Sequence, residues 1–171
     1  MLDKHTKSTR SVNTDSYTVP GVDTQEGQQL GTKLQSCLHN LNDLHLTLKH
    51  AHWNVVGPNF IAVHEMLDPQ VDAARTMADD VAERMATLGV SPVGTPGALV
   101  EDRDWEDYPV GKADTEEHLF ALDKTYTRVI ENHRAVMAAS AEVDPVTEDM
   151  LISQTSELEL FQWFVRAHLE G

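Results

Sequence analysis

The sequence predicts an all-α protein, a four-helix bundle with a long crossover connection that contains a short helix. Two observations support this prediction. Four long segments place apolar residues at helical spacing, and one middle segment is rich in proline and glycine. A length of 171 residues suits one domain with a single hydrophobic core. A bundle in which two of the four helices are joined by a crossover accounts for all of these features.

The first helix is predicted to begin after Asp23–Thr24, where either side chain can cap it, and to stop at Gly57–Pro58. Its apolar stripe is Leu30, Leu34, Leu38, Leu41, Leu44, Leu48, Ala51 and Val55. Cys37 lies within this stripe and is expected to be a small core residue, since a lone cysteine cannot form an internal disulfide. Residues 1–22 are polar and without period, so we expect a flexible tail followed by a bundle domain at residues 23–171.

The other three long helices have clear boundary signals. The second is predicted to run from an N-cap at Asn59 to Gly89. The third is predicted to start near Lys112–Thr115, and the fourth is predicted to start at Asp144–Pro145, an N-cap followed by proline. The predicted core stripe of the second helix is Phe60, Val63, Leu67, Val71, Ala74, Ala78, Val81, Met85 and Leu88. The third contributes Leu119, Leu122, Tyr126, Val129, Ile130, His133, Val136 and Met137, and the fourth contributes Leu151, Thr155, Leu158, Phe161, Phe164, Val165 and His168.

The connection between the second and third helices is long and irregular. Repeated prolines and glycines over residues 89–111 exclude a long helix there, although a short helical piece near residues 98–101 is expected. Trp105 and Tyr108 are the large aromatic residues of this segment. We expect them to anchor the connection onto the core or onto a neighbouring subunit.

Ionisable residues of the second helix form a pattern that is typical of metal ligands. His64 and Asp68 are spaced i, i+4, and Asp79 and Glu83 repeat that spacing eleven residues further on. Eleven residues return to within about 20° of the starting direction, but they also advance about 16 Å along the axis. Because ligand atoms lie about 2 Å from a metal, one straight helix cannot hold a single ion with both pairs. His52, at the end of the first helix, is a further candidate donor.

The residue numbers indicate how two chains would complete such a site. The numbers of His64 and Glu83 sum to 147, and so do those of Asp68 and Asp79. An antiparallel copy of this helix, related by a two-fold axis near Ala73–Ala74, would place each donor opposite its counterpart. The two small alanines would permit close approach of the helices. We therefore expect a metal site that is assembled between subunits.

The segment Lys49-His50-Ala51-His52-Trp53-Asn54-Val55-Val56-Gly57-Pro58-Asn59-Phe60, together with the downstream donors, resembles the Dps family, the DNA-binding proteins from starved cells within the ferritin superfamily. The resemblance covers nearly the whole chain, from about residue 23 to residue 170. It implies a ferritin-like bundle, a hollow dodecamer built from two-fold dimers, and ferroxidase centres at the dimer interface. The implied iron ligands are His52, His64 and Asp68 of one subunit with Asp79 and Glu83 of the partner subunit.

By this resemblance the protein is an enzyme, a ferroxidase that oxidises Fe(II) with hydrogen peroxide, with oxygen a slower oxidant. The ferric product is stored as mineral in the cavity, which protects DNA from oxidative damage. Carboxylates and neutral imidazoles suit this chemistry because they bind Fe(II). Trp53, beside His52, is expected to serve packing first, with interception of oxidising equivalents as the alternative. No Glu-x-x-His step occurs, which counts against a di-iron centre within one bundle.

The charge balance limits the partners of the protein. Thirteen Lys and Arg against 28 Asp and Glu give a formal net charge of −15. This charge opposes unspecific binding to nucleic acid, and it fits a shell that attracts cations or a protein from the salty cytoplasm of a halophile. Lys4, Lys7 and Arg10 of the tail could support only a weak DNA-touching arm. DNA binding is therefore in doubt, and an architectural DNA-binding protein with little ferroxidase activity is the alternative function.

Several other residues are assigned less consequential roles. Asp72 and Asp80 are expected to be solvated, with an extension of the iron-binding surface as the alternative. His45 is expected to be a hydrogen-bonded histidine at the edge of the core. The resemblance implies a negatively lined three-fold pore near the start of the fourth helix, for which the candidates are Glu142, Asp144, Glu148 and Asp149, with ordinary helix capping by Asp144 as the alternative. No apolar run of signal-peptide or membrane-spanning length occurs, so a cytoplasmic protein is expected.

Overall fold

The computed structural model describes residues 17–170 as five helices and two very short strands. In chain order they are α1 (Thr24–Asn54), β1 (Val55–Val56), α2 (Phe60–Thr87), α3 (Pro96–Asp102), β2 (Ala113–Asp114), α4 (Thr115–Ser140) and α5 (Pro145–Leu169). The four long helices form the predicted bundle, in which α1 packs on α2 and α4 packs on α5. The short helix α3 lies in the long connection, as predicted.

The two strands fix the direction of the helices. β1 and β2 pair in parallel, with Val55 opposite Ala113 and Val56 opposite Asp114. Because β1 leads into α2 and β2 leads into α4, these two helices start at the same end of the bundle and run in the same direction. The 28 residues of α2 span about 42 Å at about 1.5 Å per residue. The connection between α2 and α4 therefore has to return along the length of the bundle, which confirms the crossover.

One hydrophobic core receives side chains from all four long helices. Every residue of the predicted α1 stripe is buried, and Cys37 is fully buried among them. Burial raises the pKa of the Cys37 thiol to about 12, so it remains a neutral core residue. The predicted core stripes are wrong only near the helix ends, where Phe60 is 37% exposed and His168 is also exposed.

The helix caps follow the sequence closely, with one exception. The carboxylate of Asp23 accepts hydrogen bonds from the backbone N–H groups of Gln25 and Glu26, and Asp144 caps α5 in the same way. Asn59 occupies the predicted N-cap position of α2, but its backbone is left-handed, with φ of 63°, and its side chain makes no capping hydrogen bond. A proline, Pro69, lies inside α2 and removes one helical N–H donor.

The crossover is attached to the chain's own bundle, one of the two outcomes expected for Trp105 and Tyr108. The indole N–H of Trp105 donates to Asp43 at 3.1 Å, and the guanidinium of Arg128 lies over the indole ring at 4.0 Å. The Tyr108 hydroxyl lies 2.9 Å from Nδ1 of His118 on α4. These contacts hold the connection against α1 and α4.

The predicted tail falls mostly outside the described residues, which begin at Tyr17. The Tyr17 hydroxyl donates to the backbone carbonyl of Ala86 at 3.0 Å, and Val19 packs on the core. The division of the chain at residues 22 and 23 stays a prediction, as does the DNA-touching role of Lys4, Lys7 and Arg10. Within residues 17–170, no helix is long and apolar enough to cross a membrane.

Candidate metal centre

The two predicted histidine donors form a reciprocal pair where α1 ends and α2 begins. Nδ1 of His52 lies 2.9 Å from the backbone carbonyl of His64, and Nδ1 of His64 lies 2.9 Å from the backbone carbonyl of His52. The rings stack, with centroids 3.6 Å apart and planes at 23°. Because a carbonyl only accepts, both Nδ1 atoms carry a proton, so in the neutral form of each ring the Nε2 atom holds the lone pair. This arrangement is typical of metal-ligating histidines, whose second nitrogen is held by a carbonyl.

The carboxylate of Asp68 lies beside this pair. Its Oδ1 atom is 3.3 Å from Nδ1 of His52 and 2.6 Å from the ammonium of Lys49. The hydrogen bond from Lys49 holds the pKa of Asp68 below its ordinary value, and the nearby histidines act in the same direction. Asp68 is exposed and ionised, so an anionic oxygen donor lies at the Nδ1 edge of His52, next to the histidine pair.

Asp79 and Glu83 are placed differently. Both are exposed on α2, and neither makes a hydrogen bond or ion pair with any residue between Tyr17 and Glu170. The eleven residues between Asp68 and Asp79 correspond to about 16 Å of helix. Within the described part of one chain, no group of three or more His, Cys, Asp or Glu side chains could hold a metal ion. The structure thus places His52, His64 and Asp68 near one another without closing a metal site within one chain, and it leaves Asp79 and Glu83 apart.

The expected role of the alanine pair is wrong in part. Ala74 is only 1% exposed, because it packs into the core of its own chain, and Ala73 is half-buried against the same core. Neither side chain is free to lie at the centre of a contact with a second chain. The exposed residues nearest the middle of α2 are instead Asp72 and Arg75.

Other residues near the centre also depart from expectation. Trp53 is 71% exposed, so within its own chain it does not serve packing. His45 is half-buried, as expected of an edge residue, but its Nδ1 atom has no hydrogen-bond partner among the described residues. His50, two residues before His52, is a structural residue because its Nε2 atom lies 2.8 Å from the carbonyl of Val110 in the crossover.

The four acidic residues near the start of α5 differ in burial and in role. Asp144 is buried, and its carboxylate caps α5 and forms an ion pair with Arg84 of α2. Burial alone would raise the pKa of Asp144, but hydrogen bonds from Thr147 and Arg84 hold it below its ordinary value. This contact is the capping role that the sequence offered as the alternative to a pore. The other pore candidates, which are less buried, are Glu142, Glu148 and Asp149.

Sequence reasoning missed Lys49, whose ammonium contacts Asp68 across the α1–α2 interface. Nothing in the local pattern around Lys49 marks it, because the contact joins residues that are 19 positions apart on different helices. Only the pairing of α1 with α2 reveals it. The antiparallel hairpin places Lys49, His52, His64 and Asp68 at one end of the bundle.

The bundle, its crossover and the histidine–carboxylate set define a protein of the ferritin-like class. A family model described as "Ferritin-like domain" matches residues 32–171. The "DNA protection during starvation protein" of Mycolicibacterium smegmatis is 56% identical over 156 residues, which cover 91% of this chain and 85% of that protein. The "Fine tangled pili major subunit" of Haemophilus ducreyi is 53% identical over 155 residues, which cover 91% of this chain and 82% of that protein.

Solved structures agree with these relatives. The structure titled "DpsA14 from Streptomyces coelicolor" superposes with a TM-score of 0.89 at 61% identity, covering 91% of this chain and 92% of that one. The "Mycobacterium smegmatis Dps tetragonal form" also gives 0.89, at 55% identity and with 91% and 96% covered. The chain belongs to the Dps family of ferritin-like proteins, as the sequence pattern indicates. Because relatives of similar identity carry different names, the chemistry of the site has to decide the function.

Proposed function

We propose that this protein is a ferroxidase that detoxifies and stores iron. In this proposal the ligands are His52, His64 and Asp68 of one subunit with Asp79 and Glu83 of the partner subunit. The observation that supports it best is the reciprocal hydrogen bonding of the two histidines through Nδ1, which fixes both rings next to the ionised carboxylate of Asp68. Neutral imidazole and carboxylate are ligands that Fe(II) accepts readily, and the additional carboxylates favour Fe(III).

Iron is the substrate of the proposed reaction. Two Fe(II) ions each give up one electron, and the O–O bond of one hydrogen peroxide molecule accepts both electrons and breaks. Hydrolysis of the ferric product releases protons and yields a mineral. Fe(II) and peroxide are removed in the same step, so neither remains to generate hydroxyl radicals near DNA. Oxygen is the slower oxidant.

The proposed assembly is a hollow dodecamer built from two-fold dimers in the cytoplasm. Two features of the single chain support a two-fold contact on this face. The donors Asp79 and Glu83 have no hydrogen-bond or ion-pair partner among the described residues, and the α1–α2 hairpin exposes the large apolar side chains of Leu46, Trp53 and Ile61. A partner subunit can cover exposed apolar side chains of this kind.

The ligand assignment is tested by His64→Ala and Glu83→Ala. Each variant removes one donor from the proposed centre, so fast oxidation of Fe(II) by peroxide should fall to the rate without protein. Both residues lie at the surface of the chain, so the assembled shell should remain. Asp80→Ala is the matched control, because Asp80 is an exposed acid on the same helix outside the donor set. Unchanged kinetics in both ligand variants would contradict the assignment.

A gel-shift titration across salt concentration distinguishes the proposed ferroxidase from the alternative function, an architectural DNA-binding protein. A net charge of −15 predicts that the shell binds DNA weakly and only at low salt. Tight binding at physiological salt by a shell that leaves Fe(II) unoxidised would favour the alternative.

A further inference from the structure

Asp72 and Arg75 are oppositely charged residues at the middle of α2 that have no role within their own chain. Both are exposed, and they line a shallow depression together with Thr76 and Asp79. Neither forms an ion pair with another described residue. Arg75 is also the only cation on the exposed side of α2, because Arg84 is turned inward onto Asp144. Unpaired charge of both signs on one helix face is suited to a self-complementary contact.

The numbers of Asp72 and Arg75 also sum to 147, as the two proposed donor pairs do. At about 100° per residue, these two side chains point about 30° to either side of the mean direction of the four α2 donors. A two-fold axis perpendicular to that direction and to the helix axis brings the two donor faces together antiparallel, and it places the Asp72 position of each helix level with the Arg75 position of the other. Each Asp72 then faces Arg75 of the partner subunit, and each Arg75 faces Asp72 of the partner subunit.

We propose that these residues form two reciprocal ion pairs across the two-fold axis with a second copy of this chain. The inference rests on the subunit pairing in the proposed function, and it identifies what sets the register of that pairing. Each donor face carries Asp68, Asp79 and Glu83, so two such faces repel one another when no iron is bound. Arg75 supplies the opposite charge at the centre of the contact. It occupies the place that the sequence assigned to the alanine pair.

The test is a charge exchange on the full-length protein. Arg75→Glu places four carboxylates around the axis, and Asp72→Arg places four guanidinium groups there. Each single variant should weaken the two-fold contact by about ten-fold or more, because like charges that face each other in an interface are strongly unfavourable. The double variant D72R/R75E restores opposite charges with the polarity reversed, so it should recover most of the lost association. Native mass spectrometry and sedimentation at low and high salt measure this association.

The controls use surface charges away from the contact. Asp80→Arg and Lys124→Glu make the same changes of net charge at exposed positions on α2 and α4 that do not face the proposed axis. They should leave association unchanged, while high salt should reduce the difference between the single variants and the wild type. Far-UV circular dichroism verifies that each chain remains helical. A double variant that associates no better than the single variants, or single variants that associate like the controls, would overturn the proposal.

Iron oxidation by the same samples separates this inference from the proposed function. If D72R/R75E recovers assembly but the wild-type shell oxidises no Fe(II), the ion pairs stand and the ferroxidase assignment fails. If the ligand variants lose oxidation while the charge exchange rescues nothing, the ferroxidase assignment stands and the ion pairs fail.

Discussion

The two halves of the proposed centre differ in how much of each a single chain builds. His52 and His64 are stacked and tied to one another's backbone, and Asp68 is fixed by Lys49. Asp79 and Glu83 lie on the same helix without a hydrogen bond or ion pair to another described side chain. One half is preorganised by the α1–α2 hairpin, whereas the other half is carried on an exposed helix surface.

This difference shows how a site can depend on assembly. Preorganised donors lose little freedom when a metal binds, but three donors leave an iron ion incompletely coordinated. The exposed carboxylates complete the set only where a second chain brings them within reach. In this arrangement an isolated subunit lacks a full centre, and iron is oxidised only where a shell interface has formed.

The largest expected effect comes from mixing two inactive variants. In a dimer of one His64→Ala chain and one Glu83→Ala chain, one of the two centres receives both native residues. Random reassembly makes about half of the dimers mixed, so about one quarter of the wild-type activity should return. Activity is measured as peroxide-driven Fe(II) oxidation after dissociation and reassembly of the mixture. If no activity returns although native mass spectrometry detects mixed dimers, both residues serve the same chain's centre.

The next largest expected effect is a loss of stability when Arg84, the residue that follows Glu83, is replaced. Glu83 points outward, whereas the guanidinium of Arg84 pairs with the buried Asp144 and donates to Thr147 at 2.9 Å. Arg84→Met leaves a buried carboxylate without its cation. It should cost about 3 kcal/mol of stability, which lowers the Tm by about 6 to 12 °C for a chain of this size.

Thermal unfolding followed by circular dichroism at equal protein concentration measures this loss. Glu83→Gln, the neighbouring change on the outward side, is the control and should leave the Tm nearly unchanged. An equal loss in both variants would show that the outward and inward positions of α2 do not differ in the assembled protein.

The sequence was sufficient for the bundle and for the crossover, because both depend on local spacing, whereas the donor list stays a prediction. The α1 stripe from Leu30 to Val55 and the caps at Asp23 and Asp144 are read from neighbouring residues. The role of Lys49 depends on how α1 packs against α2. Spacing along one helix gives the direction of a side chain but not the partner that it meets, so this contact could not be predicted.

A smaller effect should follow from Lys49→Gln. The ammonium of Lys49 donates to Oδ1 of Asp68, a proposed iron ligand, so it competes with the metal ion for this carboxylate. Its removal should tighten Fe(II) binding by a few-fold, which is the size of effect expected for an exposed ion pair. Titration of Fe(II) under anaerobic conditions measures the change. Lys33→Gln, on an exposed part of α1, is the control, and weaker binding in Lys49→Gln would show that Lys49 orients Asp68 instead.

The smallest expected effect is on the stability of the fold at acid pH. This stability has to be known before a loss of iron oxidation at low pH is attributed to either half of the centre. Burial lowers the pKa of His133 below its ordinary value. The unfolded chain therefore binds a proton first as the pH falls below about 6.5, and the folded state loses stability at up to about 1.4 kcal/mol per pH unit. His133→Gln removes this contribution, so the free energy of unfolding should differ less between pH 7.5 and pH 5.5 than in the wild type. An unchanged pH dependence would show that other groups, such as the buried His118, account for the acid sensitivity.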